Sequence, residues 1–153
     1  MDVQIVEFPE TKVAALEFLG PPHVQHNAAR KLIEWRLVHR ATPDPHQTYG
    51  IHYNDPRTVP PEDYRVDLCV SVEQDISSNP QGLVNKSIPG GRCAVARHLG
   101  SRENVSAAVY LYEVWLPKSG ERLRDFPIFF HYVNVGPQVR EHEMITDVYL
   151  PLR

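Results

Sequence analysis

The chain has 153 residues, 42% of them hydrophobic and 23% charged, with a formal net charge of −3. That length fits one domain, or two small modules sharing a core, and a chain of this size buries roughly 70% of its unfolded surface without disulfide staples. The mild acidity argues against direct nucleic-acid binding, which needs a basic face, and no apolar run approaches the ~20 residues of a membrane span.

The N-terminus, "MDVQIVEFPE", is acidic and lacks the apolar core of a signal peptide, so the cytoplasm is the expected compartment. "KVAALEFLG" (12–20) reads as a strand. A Gly-Pro-Pro corner then starts a helix near His23, with Val24, Ala28, Leu32 and Trp35 on one face. Arg30, Lys31, Glu34 and Arg36 take its solvent side, and "TPDP" (42–45) ends it. Two strands follow, "TYGIHYN" and "YRVDLCVSV", joined by a proline-rich loop. Residues 77–90 read as a linker. Its "IPGG" is a turn and not a phosphate cradle, because no GxxxxGK[ST] or GxGxxG follows and a strand comes next.

"RCAVARHLG" (92–100) opens a second series. Ser101 is the expected N-cap of a second helix, and Glu103 suits its positive end. Val105, Ala108, Val109, Tyr112 and Trp115 or Leu116 form the expected buried stripe, and "PKSG" ends the helix. Strands at 128–134 and 144–150 complete the series. In "DFPIFFHYVN" (125–134), alternation puts Ile128, Phe130 and Tyr132 on one face and Phe129, His131 and Val133 on the other.

The two series repeat with an offset of eighty residues: Leu19-Gly20 with Leu99-Gly100, Trp35 with Trp115, Asn54 with Asn134, Asp67 with Asp147. The expected fold class is α+β. It consists of tandem duplicated strand-helix-strand-strand modules, about 1–76 and 91–153, with antiparallel sheets and two long helices around a pseudo-twofold ligand cleft. Cys69 and Cys93 each sit in an apolar run and read as buried reduced thiols; no spacing suggests zinc, and no metal or cofactor is expected.

"GIHYNDPRTVPPEDYRVDLCVSV", "IPGGRCAVARHLG", "LYEVWLPKSGERLRDFPIFFHYVN" and "ITDVYLPL" together resemble the GyrI-like small-molecule-binding domains. That family includes DNA gyrase inhibitor-like proteins and the effector-binding domains of AraC/XylS- and MerR-type multidrug regulators. The resemblance covers nearly the whole chain. It implies an aromatic-lined cleft between the modules that binds amphipathic, often cationic, compounds. A few relatives look like hydrolases that open reactive rings with a tyrosine and a glutamate. No helix-turn-helix module accompanies the domain here, so direct transcriptional control is not expected.

The sequence departs from the family at the cleft. The "P-x-F-E-x-Y" pattern reads "PIFFHY", so Phe130 stands in place of the glutamate while Tyr132 is kept. His52 and Asn54 replace the aromatic and the acid of "G-x-Y-x-D". A ring face attracts a cation by only roughly 0.5–2 kcal/mol, so a neutral or weakly polar ligand is expected. The candidate ligand-binding residues are His52, Asn54, Tyr112, Trp115, Phe130 and Tyr132, with no catalytic residue assigned. The expected function is capture of a small amphipathic or aromatic compound. Two alternatives stay open: hydrolysis of strained rings by Tyr132 and His52, and an interaction module that protects or inhibits a partner such as DNA gyrase.

Overall fold

A computed structural model describes residues 1–41 and 45–153, which fall into two units: Thr11–Ile88, and Met1–Glu10 together with Pro89–Arg153. Each unit is a four-stranded antiparallel sheet with a helical segment on one face, so the fold class is α+β and the module is duplicated.

In chain order, β1 (Val3–Phe8) belongs to the second unit, and β2 (Thr11–Leu19) opens the first. The first unit continues with α1 (Gln25–Val38), β3 (Thr48–His52), β4 (Arg65–Ser71) and β5 (Val84–Ile88). Its strand order is β5-β2-β4-β3. Pro22–Val24 forms a single 3-10 turn before α1, and Pro22 suits its first position because the N–H that proline lacks would have no helical partner there. Ala28, Leu32 and Trp35 recur at helical spacing and bury against Ala14, Leu16, Val66, Leu68 and Val70. Each large apolar side chain so buried contributes about 1.5–3 kcal/mol.

Arg36 departs from its expected solvent position. It is partly buried and donates to the Ala41 and His46 carbonyls and the Thr48 hydroxyl, so it ties the end of α1 to β3. The "TPDP" stop signal lies largely outside the described residues; α1 itself ends at Val38.

The second unit continues with β6 (Gly91–Leu99), α2 (Ser106–Tyr110), a π-helical turn (Leu111–Trp115), α3 (Leu116–Ser119), β7 (Phe129–Tyr132) and β8 (Ile145–Pro151). Its order is β1-β6-β8-β7. Ser101 does not cap the helix: α2 begins at Ser106, and the Ser101 hydroxyl accepts the Glu103 N–H in the preceding turn. Gly120, at φ +74°, closes the helical segment in the left-handed conformation. Among the described residues, no helix is long and apolar enough to cross a membrane.

The repeat extends further than its sequence signal. Gly20 N–H bonds Tyr64 O at 3.0 Å, and Gly100 N–H bonds Met144 O at 2.8 Å, eighty residues on. β1 and β5 also stand eighty residues apart, and they are exchanged: β1 pairs with β6, and β5 pairs with β2. Residues 1–10 are therefore part of the second unit, and the stretch expected to be a linker carries a strand of the first. Neither strand shows a strong apolar alternation, because each lies at a sheet edge with one half-exposed face.

The crossover explains "IPGG". A Cβ on Gly90 would come within 2.8 Å of Glu10 N and 3.0 Å of Phe8 O, both backbone atoms that cannot swing away. Gly90→Ala is expected to destabilise the chain by about 1–3 kcal/mol, as overpacking does, read as a lower urea midpoint with an unchanged slope.

Candidate functional site

The pleat of β7 sends neighbouring rings to opposite faces. Phe129 turns away from the helix and joins an aromatic cluster: 4.9 Å from Phe8, 6.3 Å from Phe126, and stacked on Tyr149 at 5.1 Å and 3°. Ile128 and Phe130 turn toward the helix and join Ala94, Ala96, Ala107, Leu111, Val148 and Leu150. Phe130 is 8% exposed, so it is a floor and not an open wall. Tyr132 and Trp115 pack against that cluster but remain half-buried, and the Tyr132 ring meets Phe130 edge-on at 6.3 Å.

The π turn decides which helical rings face this surface. It closes i→i+5 bonds and so shifts the register of the segment, a distortion frequent at functional sites. Ala107 and Leu111 are buried, and Trp115 returns to the cluster at the end of the turn. Tyr112, expected in the buried stripe, is instead 40% exposed, flanked by exposed Glu113 and Val114.

One residue at this surface escaped the sequence reading. Arg102 Nε donates to Thr146 Oγ1 at 2.8 Å, and its Nη2 donates to Ile145 O at 2.7 Å and to Asn134 O and Oδ1 at 3.0 and 3.2 Å. Its guanidinium carbon lies 5.1 Å from the Tyr132 ring centre. Burial draws its pKa below the ordinary guanidinium value, partly opposed by Tyr132. The repeat hides it, because the position eighty residues earlier is Pro22.

His52 and Asn54 lie in the first unit. His52, at the end of β3, sits opposite Val66, and burial pulls its pKa down to about 4. Asn54 is occupied by its own loop: Nδ2 donates to Asp63 O at 2.8 Å, and Oδ1 accepts Arg65 N–H at 3.0 Å. Asn134 makes the same pair of bonds to Glu143 O and Ile145 N–H in the second unit, at 2.7 and 2.8 Å. The matched asparagines hold the turn before each final strand of the repeat.

On the face of the first unit's sheet opposite α1, Asp67 is 0% exposed. Its Oδ2 accepts from Tyr53 Oη at 2.6 Å and Lys86 Nζ at 2.7 Å, while Oδ1 has no hydrogen-bond partner among the described residues. Lys86 also bonds Glu17 at 2.8 Å. Burial, then the bond to Asp67, pushes the Tyr53 phenol up to about 12. Partial burial pulls Lys86 down, but its bonds to Asp67 and Glu17 outweigh this and raise it. Cys69, on the same face, is a buried free thiol whose pKa burial pushes up; Cys93 is also free and buried. A depression of about 360 Å³ before β5 is walled by Ile76, Asn79, Gly82 and Asn85. The side chains of Asn79 and Asn85 are spent on loop hydrogen bonds, so this surface offers a ligand little.

A profile of the GyrI-like small-molecule-binding domain matches residues 1–153. The chain is 41% identical to a protein of Escherichia coli K12 named probable transcriptional regulator YgiV, over 99% of this chain and 96% of that one. It is 28% identical to a protein of Erwinia billingiae named DNA gyrase inhibitor, over 99% and 97%. In shape it is similar to the C-terminal domain of EcmrR, with a TM-score of 0.76 at 18% identity, covering 99% of this chain and 97% of that one. It spans 57% of the longer EcmrR chain solved in a DNA complex.

Proposed function

The chain belongs to the GyrI-like small-molecule-binding domain family, and from that premise we propose that it captures a small aromatic or amphipathic compound on the surface formed by Trp115, Phe130 and Tyr132. The observation that carries the reading is a pair of half-buried rings packed against one cluster: Tyr132, edge-on to the buried Phe130, and Trp115, at the end of the π-helical turn. Rings that only filled a core would be sealed on both sides, as Trp35 is at 3% exposure. A flat apolar ligand covering such rings gains roughly 25 cal/mol for each Å² removed from water.

Phe130 stands where the family pattern has a glutamate, so a lipophilic cation gains no carboxylate from this position to replace its hydration. A hydrolase built on Tyr132 and His52 finds less support. A general base works best with a pKa near the operating pH, and burial holds His52 near 4.

Fluorescence titration tests capture. Trp35 is sealed, so Trp115 is the indole that a ligand reaches, and aromatic ligands are expected to change its emission. Trp115→Ala or Tyr132→Ala is expected to weaken binding about tenfold or more, the range in which truncating a central ring at a binding surface falls. Affinities unchanged in both folded variants would overturn this assignment.

A further inference from the structure

Arg102 is anchored more firmly than its own loop requires. The first unit builds the same turn with the Asn54 clamp alone and carries Pro22 where the second carries Arg102. A guanidinium presents five N–H donors in a planar fork. Arg36 and Arg124 spend both terminal nitrogens on protein acceptors. Arg102 spends Nε and Nη2, while its Nη1 donates to nothing among the described residues. Arg57, Arg92 and Arg97 pair with Asp55, Glu121 and Asp147; among the described residues no carboxylate pairs with Arg102.

A fixed positive charge therefore sits half-buried over the face of Tyr132 with one NH₂ group to spare. The residue beside that ring, Phe130, brings no compensating acid. Glu113 is a nearby acid in sequence, but it is exposed on the π turn, where solvent and salt screen it.

We infer that this surface takes aromatic carboxylates: one carboxylate oxygen accepts from Arg102 Nη1, and the apolar body lies along Tyr132. This rests on the capture reading above and reverses the charge preference of a pocket floored by a carboxylate. Hydrogen bonds from a guanidinium to a carboxylate are charge-assisted and about twice as strong as neutral ones, and partial burial weakens the screening that an exposed arginine would suffer.

Calorimetry on the wild-type chain with three matched probes tests it: 2-naphthoate, its neutral amide, and 2-naphthylmethylammonium. Naphthoate is expected to bind about tenfold tighter than the amide, with the ammonium weakest, and the gap is expected to narrow between low and high salt. Arg102→Gln is expected to weaken naphthoate more than the amide and so close most of the gap. The comparison of probes on the unaltered chain decides the matter even if that variant folds poorly. Equal binding of naphthoate and amide, or preference for the ammonium, overturns the inference and leaves capture standing. Failure of all three to bind overturns both.

Discussion

Lys86→Met is expected to remove about 3–5 kcal/mol of stability, the range for stripping one partner from a buried ion pair. The reason is the asymmetry of the pair: the Lys86 side chain keeps 25% of its exposure, whereas Asp67 has none. Without the ammonium, a carboxylate with one oxygen already unpartnered retains, among the described residues, only the Tyr53 hydroxyl. The equivalent aspartate of the second unit supplies a control. Asp147 pairs with Arg97 in a setting where the side chains are 15% and 55% exposed, so Arg97→Met should cost no more than about 1 kcal/mol. Adding Asp67→Asn to Lys86→Met is expected to recover much of the loss. Urea unfolding of the four proteins checks this, and similar losses for Lys86→Met and Arg97→Met would overturn it. Lys86 and Tyr53 both hold their protons more tightly in the folded chain than at their unfolded values of 10.5 and 10.0. The cluster's contribution is thus complete below about pH 10 and lost as pH rises through the folded values.

His52 governs the opposite end of the pH scale. Burial lowers its pKa from 6.5 to about 4, so the unfolded chain takes up a proton that the folded chain refuses. Its stabilising share is present above pH 6.5 and is lost as pH falls toward 4, at up to about 1.4 kcal/mol per pH unit. His131, which burial also pulls down despite Asp147, adds to the same limb. His52→Gln is expected to flatten the loss between pH 6.5 and 4 by about 2–3 kcal/mol, and His131→Gln by less. Chemical denaturation at half-unit pH steps reads both. An acid limb unchanged in His52→Gln would show that the imidazole titrates normally.

The two sites were legible to different degrees. Alternation in "PIFFHY" assigned Phe130 and Tyr132 to one face and Phe129 to the other, and the structure places all three accordingly. Tyr112 was misjudged because a 3.6-residue period assumes an unbroken α-helix, and the π turn at Leu111–Trp115 breaks that period. Asn54 was singled out because it stands where the family pattern has an acid; its clamp on Asp63 and Arg65 becomes visible only once the loop is folded. Arg102 and Lys86 carried no local signal at all. Each matters through partners far along the chain, Thr146 for one and Asp67 and Glu17 for the other.

By itself the sequence determined the α+β class, the duplication at eighty residues, the faces of α1 and β7, and membership of a small-molecule-binding family. The first three rest on patterns repeated within a dozen residues or matched at a constant offset, and the last on the resemblance of four segments along the chain to the family's pattern. Tertiary structure alone decided which strand completes each sheet, why Gly90 must lack a side chain, and which aspartate is buried with a lysine. Strand pairing and burial join residues far apart in the chain. The edge segments β1 and β5 have hydrogen-bonding backbones that suit several partners. Their exchange is selected by the combined fit of Phe8 against Phe129 and Tyr149, and of Ile88 opposite Thr11, and no stretch of sequence contains that fit.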